Sequence, residues 1–151
     1  MNCQLTCYLA GPVSGKSYKE AFAWRKNVMT TLSREGFNVL NPLRGKSFLS
    51  NQKDLISTDQ YDIVRLSDRA IRKRDKMDVI NSDIILINLM DATEVSIGTV
   101  GEIFWAEDRN KLVVIAMPEG DMIHNHPFIR DVAIIFNSLK EAVDYVLDCN
   151  P

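Results

Sequence analysis

Residues 8–17 read YLAGPVSGKS, and the fold turns on what this stretch is. It continues an apolar, β-compatible opening, CQLTCYLAG, that ends at a Gly-Pro turn and so suits a first strand. It leads into SYKEAFAWRKNVMTTLSREG, where Phe22, Val28, Met29 and Leu32 support an amphipathic helix and Gly36 supplies a terminator. A strand, a glycine turn and a helix in succession bring backbone donors near Val13 to Lys16 to the start of a helix, where one phosphate or a polar sugar group is stabilised. Ser14 and Ser17 are equally suited to cap that helix with no ligand present. A triphosphate-binding loop needs G-x-x-x-x-G-K-[ST]. GPVSGKS is one residue short between Gly11 and Gly15, and Ala10 stands where the longer frame puts its first glycine. Shortening changes the nest of amides that such a loop wraps around particular phosphates, so ATP-dependent phosphotransfer is not expected.

Outward from this turn, FNVLNP reads as a short strand stopped by Pro42. Residues 44–67 have a weak pattern around a Gly-Lys-Ser turn; the segment is long for a passive connection, so either short helices break it up, or it closes over a site, or it is a surface loop. LSDRAIRKRDKMDVINSD reads as helix, with Leu66, Ala70 and Ile71 apolar early and Met77 and Ile80 later. IILINL is a buried strand, and IGTVGEIFWAEDRN makes a helical face from Ile97, Val100, Ile103, Phe104 and Ala106. KLVVIAMP is another strand, Pro127 follows a polar turn, and VAIIFNSLKEAVDYVLD reads as a short strand running into a final helix. The order β-α-β-(loop)-α-β-α-β-β-α predicts an α/β protein: a Rossmann-like or flavodoxin-like three-layer domain with a five-stranded parallel sheet. No internal repeat or second-domain boundary interrupts it, so residues 1–151 are expected to form a single catalytic domain.

The chain has 151 residues, 46% of them hydrophobic, enough for one substantial core and too few for two ordinary domains. Its 18 basic and 20 acidic residues give a net charge of -2, which offers a nucleic-acid partner no global attraction. Cys149 is separated from Cys3 and Cys7 by most of the chain, no paired zinc spacing is present, and all three are expected to be reduced residues of a cytoplasmic protein. The start lacks a basic region followed by a long apolar one, and no apolar run reaches spanning length, so neither processing nor a membrane partner is expected.

In a parallel sheet the carboxyl ends of successive strands open onto one crevice. Tyr8 to Gly15 and Asn88 to Glu102 occupy that edge, so chain-distant polar groups meet there. Glu102, among Val100, Ile103 and Phe104, is shielded if it faces inward and then needs partners to stay charged; the plainer reading is a helix N-terminal charge. Tyr8 can orient it or simply pack in the core. Asp75, Asp78 and Asp83 lie beside Arg72, Lys73, Arg74 and Lys76 and read either as salt-bridge and capping residues or, for Asp75, as a carboxylate reaching the site. One carboxylate attacking while another manages protons suits glycosidic-bond cleavage.

Taken in order, YLAGP, RDKMDVINSD, SIGTVGEIFWA and HNHPF resemble the nucleoside 2-deoxyribosyltransferase family and its nucleoside 5′-monophosphate N-glycosidase relatives, from the first strand to the last helix. The resemblance implies a Rossmann-like fold, association as a homodimer or dimer-based homo-oligomer, no cofactor, and a glutamate nucleophile that forms a glycosyl-enzyme intermediate. It assigns Glu102 as nucleophile, Tyr8 as its orienting phenol and Asp75 as the carboxylate near the leaving base. Gly11, Ser14, Gly15, Ser96 and Gly98 make up the expected substrate-binding set. Asn125 or His126 of HNHPF is expected to close the 5′ side from a neighbouring subunit; as a metal site the two histidines lack a local ligand set, and as plain sequence the segment is a turn. Arg44, Tyr61 and Arg65 fall around the base or a lid, or on the surface.

The family's transferases generally have an aspartate six residues before the nucleophile, where this chain has Ser96. A serine donates to a phosphate without adding negative charge, and relatives acting on nucleoside 5′-monophosphates have serine there. The expected ligands are nucleosides, nucleoside 5′-monophosphates and free nucleobases. Sugar transfer between bases is the leading expectation, N-glycosidic hydrolysis of a monophosphate the second, and a noncatalytic nucleotide-binding module the third.

Overall fold

The computed structural model describes residues 4–51, 53, 55 and 64–151. Cys3 and Tyr61 lie outside the described residues. Five strands, β1 (Thr6–Ala10), β2 (Asn38–Leu40), β3 (Ile84–Asn88), β4 (Leu112–Ala116) and β5 (Ile134–Phe136), form one sheet in the order β2-β1-β3-β4-β5. Every pairing is parallel. This is the flavodoxin-like order. After β1 the chain steps one way to β2 and afterwards the other way to β3, so a crevice opens between the carboxyl ends of β1 and β3.

Among the described residues five α-helices cover the sheet: α1 (Tyr18–Arg34), α2 (Asp68–Ile80), α3 (Ile97–Glu107), α4 (Pro127–Val132) and α5 (Leu139–Asp148). Alternation along the strands sorts the core into two faces. Cys7, Leu9, Ile84, Leu86 and Val114 pack against Val28 and Leu32 of α1 and Ala142, Val143 and Val146 of α5. Tyr8, Ala10, Ile85, Ile87, Val113 and Ile115 pack against Val79 of α2, Ile103 and Ala106 of α3 and Ile129 of α4. Cys7 and Cys149 are free thiols, and no helix among the described residues is long and apolar enough to cross a membrane.

The first turn is built as its residues suggest. Ser17 caps α1 in a reciprocal box: its Oγ accepts from the Glu20 amide at 3.1 Å, and Glu20 Oε2 accepts from the Ser17 amide at 2.8 Å. Gly36, at φ 88°, follows the helix end. The segment after β2 contains short 3-10 turns at Ser47–Leu49 and Val64–Leu66.

Two expectations need correction. The β-β succession near the end of the chain contains α4, which six residues make too short to show a helical period; a parallel neighbour cannot be reached by a tight turn, and this crossover carries the chain back. The expected apolar face of α3 also divides. Ile103 and Ala106 are buried, but Ile97 is 82% and Phe104 36% exposed, and Met77 of α2 is 53% exposed.

Candidate active site

A pocket of about 400 Å³ opens at the β1–β3 crevice and is lined by Gly11, Ser14, Gly15, Lys46, Asp75, Ser96, Gly98 and Glu102, among others. Glu102 reaches it from the second turn of α3 and is 9% exposed. Tyr8, on β1, donates its hydroxyl to Glu102 Oε1 at 2.7 Å. Burial pushes the Glu102 carboxyl up to about 8, against the Tyr8 hydrogen bond, which favours the anion. Burial, followed by the Glu102 and Asp75 charges, pushes the Tyr8 phenol well above its usual range, so it stays a donor.

Asp75, on α2, lines the same pocket. Its Oδ1 lies 3.5 Å from Arg74 Nη2 but has no hydrogen-bond partner. Burial raises its carboxyl, opposed chiefly by the Lys46 and Arg74 charges. Asp78, one turn on, is claimed elsewhere: Arg44 holds it with two bonds of 2.6 and 2.8 Å. Asp83 accepts from the Thr6 amide at 2.8 Å and takes no part in the pocket. Arg65 lies over the Phe48 ring at 5.3 Å.

The glycine turn approaches the sheet closely. At Gly11, with φ 151°, a Cβ would stand 2.7 Å from the Asn88 carbonyl oxygen. Not all of the turn's amides face a ligand: Gly15 donates to the Leu55 carbonyl and Lys16 to the Val13 carbonyl, both at 3.2 Å. Ser96 occupies the N-cap position of α3, but its side chain makes no capping bond; its Oγ lies 2.8 Å from Thr99 Oγ1 at the pocket wall. Asn125 and His126 do not line this pocket. Asn125 Oδ1 accepts from Arg130 at 2.7 Å, and the His126 ring accepts from the Phe128 amide at 3.3 Å, capping α4.

The sequence model of the family described as nucleoside 2-deoxyribosyltransferase matches residues 7–141. This chain belongs to the nucleoside 2-deoxyribosyltransferase family. Comparison with curated proteins gives no match. Among solved structures, the chain is similar to a 2-desoxiribosyltransferase from Leishmania mexicana, with 17% identity, a TM-score of 0.67 and coverage of 97% of this chain and 99% of that one. The CMP N-glycosidase of Clostridium botulinum shares 22% identity at a TM-score of 0.53, covering 93% and 97%. The molybdenum cofactor carrier protein of Chlamydomonas reinhardtii shares 12% at 0.60, covering 97% and 98%. At these identities the structures attest the fold.

Membership in the nucleoside 2-deoxyribosyltransferase family points to glycosyl transfer on nucleoside-type ligands. Against that background three residues the sequence did not single out gain meaning. Arg25, on α1, is fully buried and donates to the Gly11 carbonyl at 2.9 Å; burial lowers its pKa to about 10, against the acidic groups Tyr8, Glu102 and Asp75. Lys46 lines the pocket beneath 8% exposure. His124, 1% exposed, accepts from the Ser96 amide through Nε2 at 3.1 Å, while its Nδ1 is unpartnered. Only the pattern HNHP advertised any of them, and there the signal pointed to the neighbouring residues.

Proposed function

We propose that this protein cleaves the N-glycosidic bond of 2′-deoxynucleosides or their 5′-monophosphates and passes the sugar to a second nucleobase. The observation that carries this reading is a buried carboxylate, Glu102, held by the Tyr8 hydroxyl at 2.7 Å in a pocket shared with a second carboxylate, Asp75. Glu102 attacks C1′ as the base departs, forming a glycosyl ester, and the bonding pair of the C1′–N bond leaves with the base. A second base then attacks C1′ and restores the carboxylate. The poorly solvated anion is a strong nucleophile, and the positive charge that develops on the sugar in the transition state favours its ionised form. The reading needs no cofactor or metal.

Ser96 favours a second reading, hydrolysis of nucleoside 5′-monophosphates. Its hydroxyl sits at the pocket wall without a capping bond, where it can donate to a phosphate that an aspartate would repel. Water in place of the acceptor base gives hydrolysis through the same ester.

The test is chromatography of wild type with deoxynucleosides and their 5′-monophosphates, each with and without an acceptor base. New nucleoside in the presence of acceptor identifies transfer, and free base with sugar or sugar phosphate identifies hydrolysis. Bound ligand with no base released identifies a noncatalytic module and rejects both. Trapping with a 2′-fluoro analogue is expected to label Glu102. Ser96→Asp is expected to lower kcat/KM for the monophosphate at least about tenfold more than for the matching nucleoside; matched losses remove Ser96 from phosphate recognition.

A further inference from the structure

At its Asp75 end the pocket is walled by two elements: Pro42, Leu43 and Lys46 of the turn after β2, and Ile71 and Asp75 of α2. The sheet does not hold these walls at a fixed spacing, because β1 lies between β2 and β3, the strand that α2 precedes. Two arginines join them instead, one from each side. From the turn, Arg44 grips the Asp78 carboxylate of α2 with bonds of 2.6 and 2.8 Å. From α2, Arg74 donates to the Pro42 carbonyl and, at 3.5 Å, to the Arg44 carbonyl. The turn is stiffened from within by Asn41, 2% exposed, whose Oδ1 accepts from the Leu43 amide at 2.9 Å and whose carbonyl accepts from the Arg44 amide at 3.0 Å and from Arg44 Nη1 at 3.2 Å. A fork-to-fork arginine–carboxylate pair fixes angle as well as distance, and Asp78 is buried. Asp75, one turn before Asp78, has a buried Oδ1 with no hydrogen-bond partner, so its place at the wall depends on where α2 is held.

Resting on the glycosidic-bond reading above, we propose that the Arg44–Asp78 pair and Arg74 are positioning residues that clamp the turn after β2 to α2 and so limit the size of nucleobase the pocket accepts. The walls they join are apolar at Pro42, Leu43, Leu66 and Ile71, which suits the faces and edges of a planar ring. None of the three clamp residues lines the pocket, so each acts through the wall and not on the substrate. A packed wall rejects a larger ring only if it cannot retreat. Here retreat of the turn from α2 breaks a two-bond ion pair and strands the buried Asp78 carboxylate, a cost that the extra ring of a purine must meet and the single ring of a pyrimidine need not. Loosening the clamp therefore favours the larger base.

Initial rates of base release from pyrimidine and purine donors of the same 5′ form test this. Arg44→Met and Asp78→Asn are each expected to raise the purine-to-pyrimidine ratio of kcat/KM at least about threefold, through KM more than through kcat. Arg44→Lys, which keeps the charge but loses the fork, is expected to fall between wild type and Arg44→Met. The double variant is expected to move the ratio no further than the larger single change, because both substitutions remove one contact. Asp78→Asn keeps the side-chain volume and one acceptor oxygen, so it carries the test if Arg44→Met does not fold. A smaller rise or a fall in the ratio in the folded single variants, with both donors slowed alike, confines the pair to stability and overturns the clamp while leaving the glycosidic reading intact; additive effects in the double variant do the same. A wild type that releases base from neither donor overturns that reading and this proposal with it.

Discussion

In the proposed reaction Glu102 faces opposing demands, because the solvent exclusion that would make its anion reactive also makes the anion costly to form. Its carboxyl is pushed from an ordinary 4.5 to about 8, burial being the largest cause, so between those values the folded protein binds protons that the unfolded chain has released. Stability from this residue is therefore full below about pH 4.5, declines as pH rises, and levels off above about pH 8, by roughly 1.4 kcal/mol per unit of pKa difference. Tyr8 and Arg25 limit the decline by favouring the anion. Glu102→Gln removes the charge while keeping an acceptor for the Tyr8 hydroxyl. The variant is expected to lack turnover, to match wild type in urea unfolding at pH 4, and to exceed it at pH 9 by a few kcal/mol at most. An equal difference at both pH values would show that the charge of Glu102 is not what costs stability.

Between elements, the entrance to α3 is a joint in the pocket wall. Ser96 leaves its own capping position unused, and His124, from the loop after β4, takes the Ser96 amide instead. That bond needs a neutral ring with its proton on Nδ1. Burial lowers the His124 pKa, against the opposing charge of Asp121, so its contribution is full above about pH 6.5 and lost as pH falls through the depressed folded value. His124→Gln keeps an acceptor that does not titrate; it is expected to flatten the acid side of the stability profile, with the Ser96 amide resonance no longer shifting between pH 7 and pH 5. His124→Phe is expected to cost about 1–3 kcal/mol by orphaning that amide. An amide shift that still titrates in His124→Gln refutes the link. This joint also shows what sequence reveals. The sheet, its parallel order and the meeting of Tyr8 and Glu102 follow from strand-helix alternation, because a parallel sheet gathers its carboxyl ends whatever lies between them; Asp75, inside the helix before β3, was indicated only by the family resemblance. Arg25, Lys46 and His124 were hidden because their burial depends on how separate elements pack. Arg25 sits beside Lys26 in a helix with an ordinary polar pattern, and Lys46 looks like one polar turn residue among several. Helix α4 was missed because a single turn and a half has no period to detect.

At the scale of the whole molecule, some of the exposed apolar residues lie on the helices that cover one face of the sheet. Ile97 and Phe104, seven residues apart on α3, are exposed together with Met77 of α2 and Phe128 of α4, and α3 packs against both α2 and α4. Such residues are what a second copy would cover. The same face ends at the loop holding Asn125 and His126, both exposed and absent from the pocket of their own chain. A homodimer in which each loop completes its partner's pocket would account for both facts. The decisive measurement mixes two inactive proteins. Glu102→Ala lacks the nucleophile; an Asn125→Ala, His126→Ser double variant lacks the loop donors, with serine retained as an N-cap so that α4 stays formed. If the loop acts across the interface, random exchange places one intact nucleophile opposite one intact loop in half of the dimers, and the mixture recovers about a quarter of wild-type activity. If the loop acts within its own chain, no mixed dimer contains a complete site and nothing is recovered. A monomer by sedimentation that retains full turnover would reject the shared site without any mixing.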